Sequence, residues 1–468
     1  MKASKEKALK DYLSHLPEEM ATPLVVAMEV ERLTGKTSFP HDLILDGLRP
    51  VLMRSVSPPP RVPTPMRLFC APFEDLIFAN TITTKQRGRI ARDSLMPIWN
   101  WLRQDVLSGQ FSDLTGAIEK AILAGEKKAM TRAAEKLHAV AGSTIVQVLE
   151  AAPPGSAAYG ELSESLGGTR VVEDARDIAL ILEASSQIGK MCKDFPRPIM
   201  DIQDTDYKKI NAHYAVFTEH MPENTPALFL VLMGRLHKPW QILSVIMSVG
   251  RVQADALMGE GPLAEPGNLL LSDMQVLARY FQSVPEIDAN FAAVLKNLAY
   301  FSQLATGIES QFENSDPGPW AHWLMVCRKT VAVALESHLD HAVRAIGEAL
   351  PARKIGLFGA KGSLRPDVGE WPQEAKVENA VHYAAFVRGL GAGAQGQAFT
   401  AVCEKAAHKI ADKTSVYSEK IIDEIRVAEG EDRSRAQAHL QTLIRLTRLL
   451  QGDEAAEDLA RRAVQTAA

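Results

Sequence analysis

Residues 227–250 read A-L-F-L-V-L-M-G-R-L-H-K-P-W-Q-I-L-S-V-I-M-S-V-G, the most apolar stretch of the chain and the one that decides its class. An unbroken apolar run of about 20 residues would be long enough to cross a bilayer. Arg235, His237, Lys238 and Pro239 interrupt this one near its middle. Each half is then too short to span, and proline cannot continue the helix that precedes it. The stretch therefore reads as two packed helices joined at Lys238–Pro239. The N-terminus, M-K-A-S-K-E-K-A-L-K-D-Y-L, has alternating charge and no apolar centre, so it does not read as a secretory signal.

Helical signals continue on both sides of that stretch. Residues 171–316 read as a central helical unit. Within it Asn224-Thr225-Pro226 forms a cap with proline at the first position, and Ser272 with Gln275 has capping-box spacing. The stretch 259–268 reads as a loop, 288–313 as a long helix, and Asp316-Pro317-Gly318-Pro319 as its end. A third unit, 320–468, starts with a helix from Trp320 to about Leu350. A looser segment, 351–373, follows it, and helices resume at 374–391 and from 397, with Ser434 and Gln437 capping the penultimate one. Ile410, Tyr417, Ile421, Ile425 and Ala428 form an apolar seam that a helical hairpin, or a contact between copies, would bury.

Toward the N-terminus, residues 1–54 read as three helices: 4–15, 17–34 and one opened by Pro40-His41-Asp42. Five prolines in 55–66 remove amide donors and favour an extended polyproline spacer. Its Pro60–Pro63 spacing is also that of segments that dock on aromatic grooves. Residues 67–152 carry a short helix after Pro72, a basic–aromatic segment, and a helical hairpin turning at Gly125. Pro153-Pro154-Gly155 marks an internal boundary. No alternating β-branched run suggests a sheet, and no self-similar period emerges. The expected class is all-α, with about twenty helices in three multi-helical units, possible as an irregular helical array.

Composition narrows function without naming it. The 468 residues are 46% hydrophobic and 23% charged, ordinary globular values that argue against wholesale disorder. A net charge of −5 argues against a general nucleic-acid binder. The four cysteines, Cys70, Cys192, Cys327 and Cys403, stand far apart without zinc spacing and fit a reducing cytoplasm. No hydrolase elbow, zinc-protease, deaminase or kinase motif occurs. No cofactor is expected.

Three segments remain as candidates. Lys85, Arg87, Arg89 and Arg92 precede a helix in which Leu95, Ile98, Trp99 and Leu102 form one apolar stripe, with Trp101 pointing off it. By this reading Trp99 is core, whereas Trp101 meets either a second internal surface or a partner. The basic cluster is a solvated turn, a tie to internal acids such as Glu173, Asp174 and Asp177, or a docking site with Trp101 for an acidic protein. Four basic residues release too few counterions for tight nucleic-acid binding. Gly356–Ser363, flanked by Lys354 and Arg365, has the glycines and cations to cradle an anion through Lys354, Gly359, Lys361, Gly362 and Arg365. It lacks the order of a P-loop, so a surface loop is the competing reading. Glu336, His338, Asp340 and His341 have metal-ligand spacing on one helix, but His338 falls on the apolar stripe, so no metal site is expected.

The leading expectation is a cytoplasmic, non-catalytic protein–protein interaction protein, a scaffold, adaptor or regulator, with homo-oligomers possible through the C-terminal helices. The alternatives are a helical enzyme or ligand-binding protein using the 354–365 loop, and a peripheral membrane protein using 83–101.

Overall fold

A computed structural model describes residues 2–33, 39–54, 63–78, 85–284, 291–313, 316–355, 363–393 and 397–467. Among them are twenty α-helices and four strands of two to four residues, so the protein is all-α and multi-helical. By contact the chain divides into two compact units. One comprises 1–197 and 209–235, the other 198–208 and 236–468. The cut falls inside the stretch that reads in sequence as a central unit.

The first unit opens with α1 (Lys2–Ser14), α2 (Glu18–Leu33) and α3 (His41–Arg54). Leu13, Ala21, Val25, Leu48 and Val51 are their buried core. After α4 (Pro65–Cys70) and a 3-10 turn over Ala71–Leu76, β1 (Ile77–Phe78) pairs in parallel with β2 (Ile90–Ala91). Then come α5 (Leu95–Trp101), a π-helical turn over Leu102–Val106, α6 (Phe111–Leu123) and α7 (Lys127–Ala151). Next are α8 (Ala157–Leu166), α9 (Thr169–Glu183) and α10 (Ser185–Asp194), followed by α11 (Asp204–His220) and α12 (Thr225–Arg235). Along α7 the buried positions Ala134, Leu137, Ala141, Ile145 and Leu149 recur every three or four residues, the spacing of one helical face. That helix packs against α6 and α9. On α12 every residue from Thr225 to Met233 is buried, which explains why the run is apolar all round.

The apolar stretch breaks where expected. Helix α12 ends at Arg235, a 3-10 turn covers Pro239–Gln241, and α13 spans Ile242–Gly250. No helix among the described residues is long and apolar enough to cross a membrane. The break is also where the chain leaves the first unit.

In the second unit α13 is followed by α14 (Glu265–Ser283), α15 (Phe291–Ser310) and the 31-residue α16 (Pro319–Ala349). An antiparallel pair, β3 (Ala352–Ile355) and β4 (Ser363–Pro366), then precedes α17 (Glu374–Gly393). Helices α18 (Gln397–Val427), α19 (Gly430–Gln451) and α20 (Asp453–Ala467) complete the chain. The long α16 packs on α14, α17 and α18. Ile410, Tyr417, Ile421 and Ile425 of the C-terminal seam are buried with Leu440 and Leu443 of α19 and Ala456 and Leu459 of α20. The same chain thus covers that seam. In α15, Gly307 lets the Trp240 ring approach so closely that an added Cβ would lie 2.2 Å from it.

Two capping expectations are corrected. Ser272 and Gln275 lie inside α14, which starts at Glu265 with Pro266 in its first turn. Ser434 lies inside α19, and its hydroxyl donates back to the Gly430 carbonyl at 3.4 Å. A serine three residues before glutamine suits a helix interior equally, because its hydroxyl can bond to the preceding turn. The looser segment 351–373 holds the β3–β4 pair, too short to register as alternation.

Candidate functional site

The basic segment is drawn onto α9. Amphipathic α9 buries Val172, Ala175, Ile178 and Leu182, and the same buried side carries Asp174 and Asp177 one turn apart, 0% and 6% exposed. A buried carboxylate needs a counter-charge and donors. Lys85 supplies the charge: its Nζ lies 2.7 Å from Asp174 Oδ1 and 2.6 Å from Asp177 Oδ2. It also donates to the Arg89 carbonyl at 2.7 Å. Backbone amides supply the remaining donors. The Gly88 N–H donates to Asp177 at 2.9 Å and that of Ala91 to Asp174 at 3.2 Å. Lys85 is therefore an internal tie, one of the alternatives its sequence leaves open.

Local geometry makes this knot possible. The Arg89 amide donates to the Gln86 carbonyl at 3.1 Å, closing a turn in which Gly88 takes φ = 78°. A Cβ there would meet Leu230 of α12 at 2.7 Å. Only glycine meets both demands without strain. Burial holds the Asp177 carboxyl above its usual range, and the Lys85 ammonium and the Gly88 amide partly oppose that rise.

The other members of the cluster go elsewhere. Arg89 stacks its guanidinium 4.6 Å above the Phe78 ring, linking the turn to β1. Arg87 and Arg92 are exposed. Arg170 of α9 reaches back to Asp93 at 2.6 Å. Both tryptophans belong to the interior. Trp101 is 5% exposed, and Trp99 is half-buried, with its ring centroid 5.3 Å from Phe69 and 4.8 Å from Phe111. Helix α5 packs on both α8 and α9, so two of its faces are inside. Trp101 is covered within the chain and so does not serve as an exposed partner anchor.

A second charged knot had no sequence flag. Asp75, buried in the 3-10 turn, receives Arg235 at 2.5 Å and Arg197 at 2.7 Å. Arg235 Nε also donates to the Phe195 carbonyl at 2.8 Å. The arginine that interrupts the apolar run is an anchor for the end of α12. Its only sequence signal was a charge ending a segment apolar on every side.

In the second unit Arg365 is exposed, its Nε 3.4 Å from Glu424 of α18. The Lys354 backbone belongs to β3, while its side chain and residues Gly359, Lys361 and Gly362 lie outside the described residues. On α16, His338 is buried, and Glu336 and Asp340 pair with Lys405 and Lys409 of α18 at 2.8 and 3.1 Å. Among the described residues no group of three or more potential ligands can hold a metal ion. Burial pushes the Cys70 thiol up to about 12 and that of Cys327 to about 11, so both are protonated and inert at neutral pH.

The concavity that sequence reasoning missed lies at the start of α16. A groove of about 620 Å³ has Phe312, Pro317, Leu324 and Met325 among its apolar lining. Glu309 and Arg328 close one side through two hydrogen bonds of 3.2 and 2.6 Å, and Glu313 and Lys329 stand at the edge. Met325, 57% exposed, is the outward-facing apolar member of that lining, while Val326 and Val333 stand on a neighbouring face of α16. An amphipathic count assigns them to a solvated face, and nothing in their spacing distinguishes a groove from open surface. No family model, curated protein or solved structure matches the chain.

Proposed function

We propose that this chain is a cytoplasmic, non-catalytic interaction protein that takes an amphipathic helical segment of another protein into the α15–α16 groove. The observation that carries the reading is the groove itself, with Phe312, Pro317, Leu324 and exposed Met325 in its lining along a 31-residue helix. An apolar cleft rimmed by charges is the form in which helix-in-groove recognition works, with one or two anchors supplying most of the affinity. Arg328 is engaged by Glu309, and Lys329 and Glu313 are the other charged residues of the lining, both exposed. They complement a segment bearing an apolar anchor, an acid toward Lys329 and a base toward Glu313. Four thiols in no disulfide are consistent with a reducing compartment. The basic segment serves this reading less well, because Lys85 and Trp101 are committed internally.

A photo-crosslinking residue placed at Ala321, an exposed residue of the groove lining, tests the proposal in cells, with exposed Val276 of α14 as control. We expect one discrete protein adduct at Ala321, absent from Val276 and lost when Met325→Glu is combined with Lys329→Glu. The double variant should melt within a few degrees of the parent. Absence of an adduct, or an adduct indifferent to the two substitutions, would sink the groove as the binding surface.

A further inference from the structure

We infer that the turn joining α6 to α7 docks on an anionic lipid bilayer, Leu123 entering the headgroup layer among cations that face the lipid charges. The turn is closed by its own backbone. The Glu126 amide donates to the Ala121 carbonyl and that of Gly125 to Ile122, both at 3.0 Å, with Gly125 at φ = 69°. Leu123, in the last turn of α6, is thereby held outward without further ordering. At 83% it is the most exposed large apolar side chain among the described residues. It shares a face with Gly116 and Lys120 at i, i+4 and i+7, away from buried Leu114, Ile118 and Ala121. A Cβ added at Gly116 or Gly125 would meet nothing within 4 Å, so the chain leaves this side of the turn open.

Charge and area select the occupant. Lys120, Lys127, Lys128, Arg132 and Lys136 are all exposed, and among the described residues none of them enters an ion pair. Lys128, Arg132 and Lys136 stand at i, i+4 and i+8, a ridge on the side of α7 opposite buried Ala134, Leu137 and Ala141. Glu119, Glu126 and Glu135 stand among the five cations, which leaves the region positive in a chain of net charge −5. In physiological salt a field reaches only about 8 Å, so a bilayer meets this local excess and not the chain's total. An anionic leaflet attracts such residues one by one, and an apolar side chain among them adds a second signal. A stable protein partner would cover about 800 Å² of the chain. One leucine on a tight turn does not offer that area, whereas headgroups close around a projecting side chain.

Sedimentation of the full-length chain with phosphatidylcholine vesicles, with and without about 30% phosphatidylserine, tests the assignment. The chain should sediment with the anionic vesicles only, and about 0.5 M salt should release it. Lys127→Glu with Lys128→Glu should weaken binding about tenfold or more, and Leu123→Ser about fivefold. Both variants should melt near the parent, since the three side chains are exposed. The same charge change made elsewhere, at exposed Lys193→Glu with Lys376→Glu, should leave binding within about twofold of the parent. Absence of binding to the anionic vesicles, equal binding to the neutral ones, no response to Leu123→Ser, or a control pair as damaging as the turn pair overturns the assignment.

Discussion

The knot on α9 and the ladder between α16 and α18 use the same ion pairs to opposite effect. In the knot, Lys85 meets Asp174 and Asp177, side chains 19%, 1% and 7% exposed. In the ladder, Glu336 and Asp340 meet Lys405 and Lys409 at similar distances, with every side chain more than two-fifths exposed. Water already solvates the ladder's charges, so pairing them changes little. The knot's carboxylates have given up water and depend on the Lys85 ammonium and the Gly88 and Ala91 amides, with the Arg87 guanidinium also acting on Asp177. Hence the knot holds a chain segment in place, while the ladder decorates a helix contact made by apolar packing.

Removing the knot's cation should have the largest effect. Lys85→Ala leaves two carboxylates buried without their partner and should lower unfolding stability by about 3–5 kcal/mol in urea titrations. A loss below about 1 kcal/mol would mean that water reaches the knot, making it equivalent to the ladder. Next is Gly88→Ala, which forces a side chain into left-handed backbone and against Leu230. A loss of about 1–3 kcal/mol is expected, read as an earlier thermal midpoint.

The pH response sharpens the comparison further. Asp177 titrates above the ordinary 3.8 because burial outweighs Lys85. A carboxyl that binds its proton more tightly when folded favours the fold most below 3.8, and this contribution disappears as pH rises through the native value. The surface carboxyl of Glu309 behaves oppositely. Hydrogen bonds from Arg328 hold it below 4.5, so its contribution is present above 4.5 and disappears as pH falls through the native value. Relative to Asp177→Asn the parent should therefore lose stability with rising pH, and relative to Glu309→Gln it should gain. Parallel slopes in the two urea series would refute the distinction.

The smallest effect belongs to the ladder. Lys405→Ala and Lys409→Ala should each leave the urea midpoint nearly where it is in the parent, and any shift should shrink in high salt. A larger, salt-insensitive loss would show that the ladder, too, is a fixed tie.

Local chemistry made much of the helical architecture legible. Pro239 broke the apolar run, Thr225–Pro226 opened α12, and the seam through Ile410 and Ile421 announced a buried face. Caps were less legible, since Ser272 and Ser434 carry the right spacing inside helices. Trp101 misled because a stripe count allows α5 one buried face, whereas both α8 and α9 pack on it. Asp174 and Asp177 were candidate partners for the basic cluster, but residue type alone left the cluster divided among tie, solvated turn and docking site. Asp75 had no readable signal because its partner Arg235 is distant along the chain, and the groove at Leu324 had none because it depends on how α15 and α16 meet across their connection.

By itself the sequence determined that this is an all-helical chain, with its helices broken at Lys238–Pro239 and amphipathic through most of their length. Those properties follow from hydrophobic period and proline chemistry, which act over a few residues. Tertiary structure alone decided that Lys85 faces inward, that Trp101 is covered, and that Leu324 and Met325 border a cleft. Burial of a charge or a ring depends on which helix arrives beside it, and that is settled only once the chain has folded.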